Sequence, residues 1–132
     1  MNDKDLSISE NSSYIVFITG GTKSGKSELA EHLAKEEKKI SYVALSENNL
    51  DDKEWSKKMD SLIILLLKRK SITFIVGEQV GWSLVSEYKI GNTYIERIGE
   101  LQKRITKISK DNWLAINGRA IKMDEISIEI PT

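Results

Sequence analysis

The sequence predicts an α/β fold with a mostly parallel sheet flanked by helices. Short apolar runs rich in β-branched residues alternate with longer stretches of helical periodicity. A helical pattern follows each of the first three apolar runs, as in sheets built from β–α–β crossovers. The predicted strands are 14–18, 40–45, 71–76 and 113–116, and the predicted helices are 28–39, 53–70 and 94–108.

The chain organisation predicts one domain preceded by a short leader. The 132 residues suffice for a single domain with a modest core, and no internal repeat is present. Residues 1–13 are polar and predict a flexible leader, so the domain is assigned to residues 14–132.

Composition excludes several functional classes. The chain has 20 Lys and Arg against 20 Asp and Glu, so its charge gives no reason to expect nucleic acid or a membrane surface as partner. It has no cysteine and one histidine, His32, which excludes disulfides, thiolate metal sites and multi-histidine sites. The first 13 residues lack the apolar core of a secretory signal, and the run 62–67 is too short to span a bilayer. We therefore expect a cytoplasmic protein. We also expect His32 to be an exposed residue of the first predicted helix.

A glycine-rich segment lies between the first strand and the first helix. It fits the pattern G-x-x-x-x-G-K-[ST] of phosphate-binding loops (P-loops) in nucleotide-binding proteins. Such a loop directs backbone N–H groups at a polyphosphate, its lysine binds the β- and γ-phosphates, and its hydroxyl can bind Mg²⁺. The lysine here is Lys26 and the hydroxyl is that of Ser27. The predicted phosphate site consists of Gly20, Gly21, Thr22, Lys23, Ser24, Gly25, Lys26 and Ser27.

The second predicted helix has an uneven pattern. Asp51 or Asp52 can cap its N-terminus, and both are better explained as caps than as ligands. Residues 62–67 are all apolar, which predicts a helix segment buried on every side; a strand is the alternative for so short a run.

The third strand ends beside a polar segment. Parallel sheets bind ligands at the carboxyl ends of their strands, which is where Glu78 is expected. Glu78 is therefore the candidate carboxylate for Mg²⁺ or for a general base, and a solvated or ion-paired glutamate is the alternative.

The last helix and the strands after it carry local signals of their own. Residues 93–96 fit a capping box, and a stripe of Tyr94, Ile98, Leu101, Ile105 and Ile108 predicts a face packed on the sheet, with a partner helix as the alternative. Gly99 suggests close approach of another backbone. Asn117-Gly118 predicts a tight hairpin turn, and the alternation in 126–130 suggests an edge strand.

Several segments together resemble one known family. The P-loop with Glu28, then 42–46, 51–55 and 78–82, are similar to the adenosylcobinamide kinase/adenosylcobinamide-phosphate guanylyltransferase family of cobalamin biosynthesis. The resemblance covers most of 14–124 and implies a RecA-like P-loop domain with Mg²⁺ and ATP or GTP. It further implies phosphorylation of the aminopropanol hydroxyl of adenosylcobinamide, then GMP transfer through a histidine. By position it places Ala44, Leu45 and Ser46 near the nucleotide, and the oligomers of this family suggest a homo-oligomer.

The chain departs from the family in its middle. Leu62 stands where the family has the histidine that carries GMP, and the family's long middle segment, whose apolar strand ends in the Mg²⁺-binding aspartate, is missing. We therefore predict a shortened homologue without guanylyl transfer, with Lys26 and Glu78 as the catalytic candidates. Two alternatives stay open. One is a degenerate nucleotide-binding or assembly subunit, and the other is a P-loop kinase of another small molecule.

Overall fold

The structure is a computed structural model that describes residues 13–21, 23–35, 51–78 and 89–131. Several predictions fall outside these residues: the leader up to residue 12, Thr22, the strand at 40–45 with Ala44, Leu45 and Ser46, and the segment 79–82.

The described strands form one mixed sheet. They are β1 (Tyr14–Gly20), β2 (Ile72–Glu78), β3 (Asp111–Ile116) and β4 (Arg119–Lys122), in the spatial order β2-β1-β3-β4. The central strand β1 is parallel to both β2 and β3, and β4 is antiparallel to β3. The predicted fold class, a mostly parallel sheet flanked by helices with a C-terminal hairpin, is confirmed.

Helices cover both faces of the sheet. They are α1 (Lys26–Ala34), α2 (Asp52–Lys68), α3 (Lys89–Ile108) and the short α4 (Met123–Ile126). Residues of β1 alternate between the two faces, since successive side chains of a strand point in opposite directions. Ile15 and Phe17 join a core cluster with α2 and α3, whereas Val16 and Ile18 join one with α1. This burial on both sides explains why β1 is a continuous apolar run.

Helix α2 settles the ambiguity at residues 62–67 in favour of a helix. The Asp51 carboxylate caps it by accepting a hydrogen bond of 2.8 Å from the backbone N–H of Glu54, and that bond lowers the pKa of Asp51. The prediction that the apolar run is buried on every side is wrong, because only one face of α2 packs in the core formed by the described residues. Ile63 and Leu66 are in the core, but Ile64, Leu65 and Leu67 are 52%, 62% and 48% exposed.

Helix α3 confirms the predicted stripe from Ile98 to Ile108, while the side chain of Tyr94 lies outside the described part of the structure. The helix also corrects two local predictions. Ile98, Leu101 and Ile105 are buried, with Leu101 and Ile105 in the cluster shared with α2. The helix begins at Lys89, so the segment 93–96 is inside it and is not a capping box. Gly99 is exposed, and a Cβ there would meet nothing within 4 Å, so the described part of the chain brings no other backbone close to it.

The C-terminal hairpin is formed as predicted, but the tail is not a strand. Asn117 and Gly118 have φ of 52° and 75°, the left-handed values that a tight hairpin turn requires. After β4 the chain turns into α4, where the Asp124 carboxylate accepts hydrogen bonds from the backbone and side-chain N–H groups of Asn112. Residues 127–130 have no regular structure, and Ile128 is 89% exposed.

Candidate functional site

The predicted P-loop leaves the sheet at its centre. Gly20 is the last residue of β1, and it pairs with Glu78 of β2 on one side and with Ala115 of β3 on the other. The loop therefore begins at the carboxyl edge of three parallel strands, where α/β sheets bind ligands. Helix α1 follows at once, beginning at Lys26.

The loop backbone is tightly curved. The Ser24 N–H donates to the Gly21 carbonyl at 3.3 Å, and the Leu29 N–H donates to the Gly25 carbonyl at 2.9 Å. Lys23 and Gly25 both have left-handed backbones, with φ of 57° and 99°. Curvature of this kind turns successive N–H groups towards one concave side, and the positive end of the α1 dipole adds to it. The arrangement suits an anion.

The side chain of Lys26 lies between the loop and β2. Its Nζ donates to the Gly21 carbonyl at 3.0 Å and contacts Oε2 of Glu78 at 2.6 Å. The Lys26 side chain is 14% exposed and that of Glu78 is 40% exposed. The two candidates for catalysis are thus brought together, and of the alternatives for Glu78 the structure shows the ion-paired form.

The two serines of the loop have different environments. Ser24 is buried, and its Oγ has no hydrogen-bond partner among the described residues. Ser27, in the first turn of α1, is exposed. The hydroxyl of Ser27 is therefore accessible to a ligand.

The glycines of the loop have a packing role that the motif did not reveal. A Cβ on Gly20 would lie 2.7 Å from the Ala115 carbonyl oxygen, and one on Gly25 would lie 3.3 Å from the Cα of Gly118. The Gly118 N–H also donates to the Ser24 carbonyl at 2.8 Å. The β3–β4 turn is therefore packed against the P-loop. The Asn-Gly pair predicted a turn, but no sequence signal indicated what the turn would contact.

A cavity of about 520 Å³ opens beside the P-loop. Its walls come from the loop, the first turns of α1 and the hairpin of β3 and β4. The lining residues are Lys23, Gly25, Glu28, Leu29, Ala115, Gly118, Arg119 and Ala120.

Other functional candidates are few in the described part of the chain. His32 is exposed on α1, as expected. Residues 13–21, 23–35, 51–78 and 89–131 contain no group of three or more His, Cys, Asp or Glu side chains that could hold a metal ion. Mg²⁺ bound to nucleotides takes most of its ligands from phosphates and water, so the exposed hydroxyl of Ser27 fits as a protein ligand of such an ion. None of the described helices has the length and apolar character needed to cross a membrane.

Comparison with known proteins gives one family. The family model described as cobinamide kinase / cobinamide phosphate guanyltransferase matches residues 16–61 and 45–123. The match falls in two overlapping pieces, which agrees with a chain that is shortened in its middle. No curated protein matches the chain significantly in sequence. The crystal structure of APE1195 is similar over 79% of this chain and 59% of that chain, with 18% sequence identity and a TM-score of 0.35.

Proposed function

Because the chain belongs to the cobinamide kinase / cobinamide phosphate guanyltransferase family, we propose that it is a cytoplasmic kinase of adenosylcobinamide in cobalamin biosynthesis. In this proposal residues 14–132 form the single catalytic domain, and ATP or GTP is the phosphoryl donor. The observation that carries the proposal is the position of Lys26, beside the curved P-loop and 2.6 Å from Glu78.

The P-loop would bind the triphosphate. Its inward N–H groups surround the phosphates, and Lys26 exchanges its contact with Glu78 for one with the β- and γ-phosphates. The hydroxyl of Ser27 would hold Mg²⁺, and the ion would neutralise charge on the β- and γ-phosphates. In the same proposal, Ala44, Leu45 and Ser46 lie near the nucleotide.

The transfer step needs little covalent chemistry from the protein. The aminopropanol hydroxyl oxygen of the corrinoid attacks the γ-phosphorus and forms a new P–O bond. The bond from the γ-phosphorus to the β,γ-bridging oxygen breaks, and the nucleoside diphosphate leaves with that electron pair. The hydroxyl proton passes to the carboxylate of Glu78 once Lys26 has moved to the phosphates. Positioning and charge neutralisation supply most of the catalysis in such transfers.

We propose that the guanylyl-transfer activity of the family is lost. That step requires a histidine nucleophile, whereas Leu62 stands in its place and packs partly buried against the core. His32 is on a different helix, α1. Incubation with GTP labelled on its α-phosphate should therefore leave no covalent GMP on the protein.

A kinase assay tests the proposal. With Mg-ATP or Mg-GTP, the wild-type chain should convert adenosylcobinamide to its phosphate, and Glu78→Gln should lower turnover while nucleotide binding persists. Lys103→Ala is the matched control, because Lys103 is an exposed cation on α3. Bound nucleotide with no transfer to adenosylcobinamide, but with transfer to another alcohol, would favour the kinase of another small molecule.

One observation favours a second function, an assembly subunit without turnover. Ile64, Leu65 and Leu67 form an exposed apolar face on α2, and such faces favour association. Under this alternative the purified chain is a homo-oligomer, binds nucleotide without transfer, and becomes monomeric when Leu65 is replaced by Glu.

A further inference from the structure

The cavity beside the P-loop has the properties of a small-molecule site. Its volume of about 520 Å³ is within the range of ligand pockets. Leu29, Ala115 and Ala120 give it apolar walls, and two glycines allow a ligand close to the backbone. A flat, mostly apolar group fits such a surface.

Three charged side chains line this cavity without an ion pair to one another or to other described residues. They are Lys23, Glu28 and Arg119. A guanidinium is planar and stacks on aromatic faces, including those of nucleobases. A carboxylate accepts hydrogen bonds from hydroxyl or amino groups. The cavity thus offers partners to the base and the sugar of a nucleoside.

The sheet places this cavity opposite the catalytic side chains. Strands β2 and β3 lie on opposite sides of β1. Lys26 contacts Glu78 at the end of β2, whereas the cavity is lined by residues of β3 and β4. Lys23 and Gly25 belong both to the P-loop and to the cavity wall. A ligand on the loop can therefore extend from Glu78 at one end into the cavity at the other.

We propose that this cavity binds the nucleoside moiety of the nucleotide, with the guanidinium of Arg119 against the base. The inference rests on the proposed binding of a nucleoside triphosphate at the P-loop. It fixes the direction of the nucleotide, with the γ-phosphate beside Lys26 and Glu78 and the base beside the β3–β4 hairpin. The phosphoryl acceptor then approaches from the β2 side.

The test compares nucleotides with inorganic tripolyphosphate, which lacks a nucleoside. Mg-ATP, Mg-GTP and Mg-tripolyphosphate are titrated by calorimetry into wild type, Arg119→Ala, Arg119→Lys and the control Lys103→Ala. Arg119→Ala should weaken at least one nucleotide about tenfold, as expected when a base loses a stacking partner. Arg119→Lys keeps the charge but loses the planar group, so it should weaken that nucleotide too. Lys103→Ala should change every affinity less than about twofold, because Lys103 is an exposed cation that does not line the cavity and exposed charges are screened by salt.

The tripolyphosphate titration separates this inference from the proposed function. Tripolyphosphate should bind wild type and Arg119→Ala alike, and Lys26→Ala should abolish its binding. If Arg119→Ala weakened nucleotide binding and tripolyphosphate binding equally, Arg119 would be a phosphate contact and the inference would be overturned. Nucleotide affinity that Arg119→Ala left unchanged would also overturn the inference. If wild type binds tripolyphosphate through Lys26 but binds nucleotides no better, the cavity proposal fails and the P-loop survives. If wild type binds neither nucleotide and no tripolyphosphate, the cavity proposal and the proposed function both fail.

Discussion

Replacing Gly20 by alanine tests the packing of the P-loop on β3. The added Cβ would lie 2.7 Å from the Ala115 carbonyl oxygen, a backbone atom that cannot rotate away. Overpacking of this kind costs about 1–3 kcal/mol of unfolding free energy. For a domain of this size that corresponds to a fall in Tm of roughly 4–12 °C. Thermal unfolding followed by circular dichroism measures it, and nucleotide affinity should fall as well because the loop must shift.

Gly99→Ala is the matched control, with the same chemical change and the opposite expectation. Gly99 is inside α3, and a Cβ there meets nothing within 4 Å. Alanine should therefore raise the unfolding free energy by about 0.5–1 kcal/mol, or Tm by roughly 2–4 °C, without changing nucleotide affinity. If Gly20→Ala were as stable as wild type, the close contact between the P-loop and β3 would be refuted.

Three further substitutions test the helices. Leu101→Ala, at a core position of α3 that is 1% exposed, should lower the unfolding free energy by about 2–5 kcal/mol in urea titrations. Leu65→Ala, at a position of α2 that is 62% exposed, should change that free energy by less than about 0.5 kcal/mol. If the two variants lost the same unfolding free energy, the packing of α2 would be contradicted. Asp51→Ala should lower Tm at neutral pH. The hydrogen bond from the Glu54 N–H holds the pKa of Asp51 below 3.8, so the carboxylate contributes stability above that pH and loses it as the pH falls through the folded-state pKa. The Tm difference between wild type and Asp51→Ala should therefore shrink below pH 3.8, and a difference that grew there would contradict the cap.

The sequence predicted those parts of the fold that depend on local chemistry. The strand, loop and helix around Lys26, the cap at Asp51 and the turn at Asn117-Gly118 follow from residue types that few other conformations accommodate. Two predictions that depended on contacts with residues far away in the sequence were wrong. The start of α3 was misplaced because residues 93–96 match a capping pattern that the helix passes through. Burial of 62–67 failed because periodicity does not say how many faces of a helix have a neighbour.

The candidate site, like the fold, was predicted from the sequence only in part. The motif predicted a P-loop, which stays a prediction, and the end of the third predicted strand correctly placed Glu78 at the sheet edge. An ion-paired Glu78 was stated only as an alternative, and its partner Lys26 was not named, because that contact depends on β1 and β2 being neighbours. Arg119 was missed entirely. Its place beside the loop results from the hydrogen bond between Gly118 and Ser24, which joins residues far apart in sequence.

The most direct test of the central claim is nucleotide binding by wild type and by Lys26→Ala. Calorimetric titration with ATP and with GTP in the presence of Mg²⁺ measures it, with Lys103→Ala as control and thermal unfolding to show that each variant is folded. The proposed function predicts dissociation constants in the micromolar range for wild type and the control, and no detectable binding by Lys26→Ala. Binding that survives in Lys26→Ala, or a folded wild type that binds neither nucleotide, would contradict the proposal that this P-loop holds a nucleoside triphosphate.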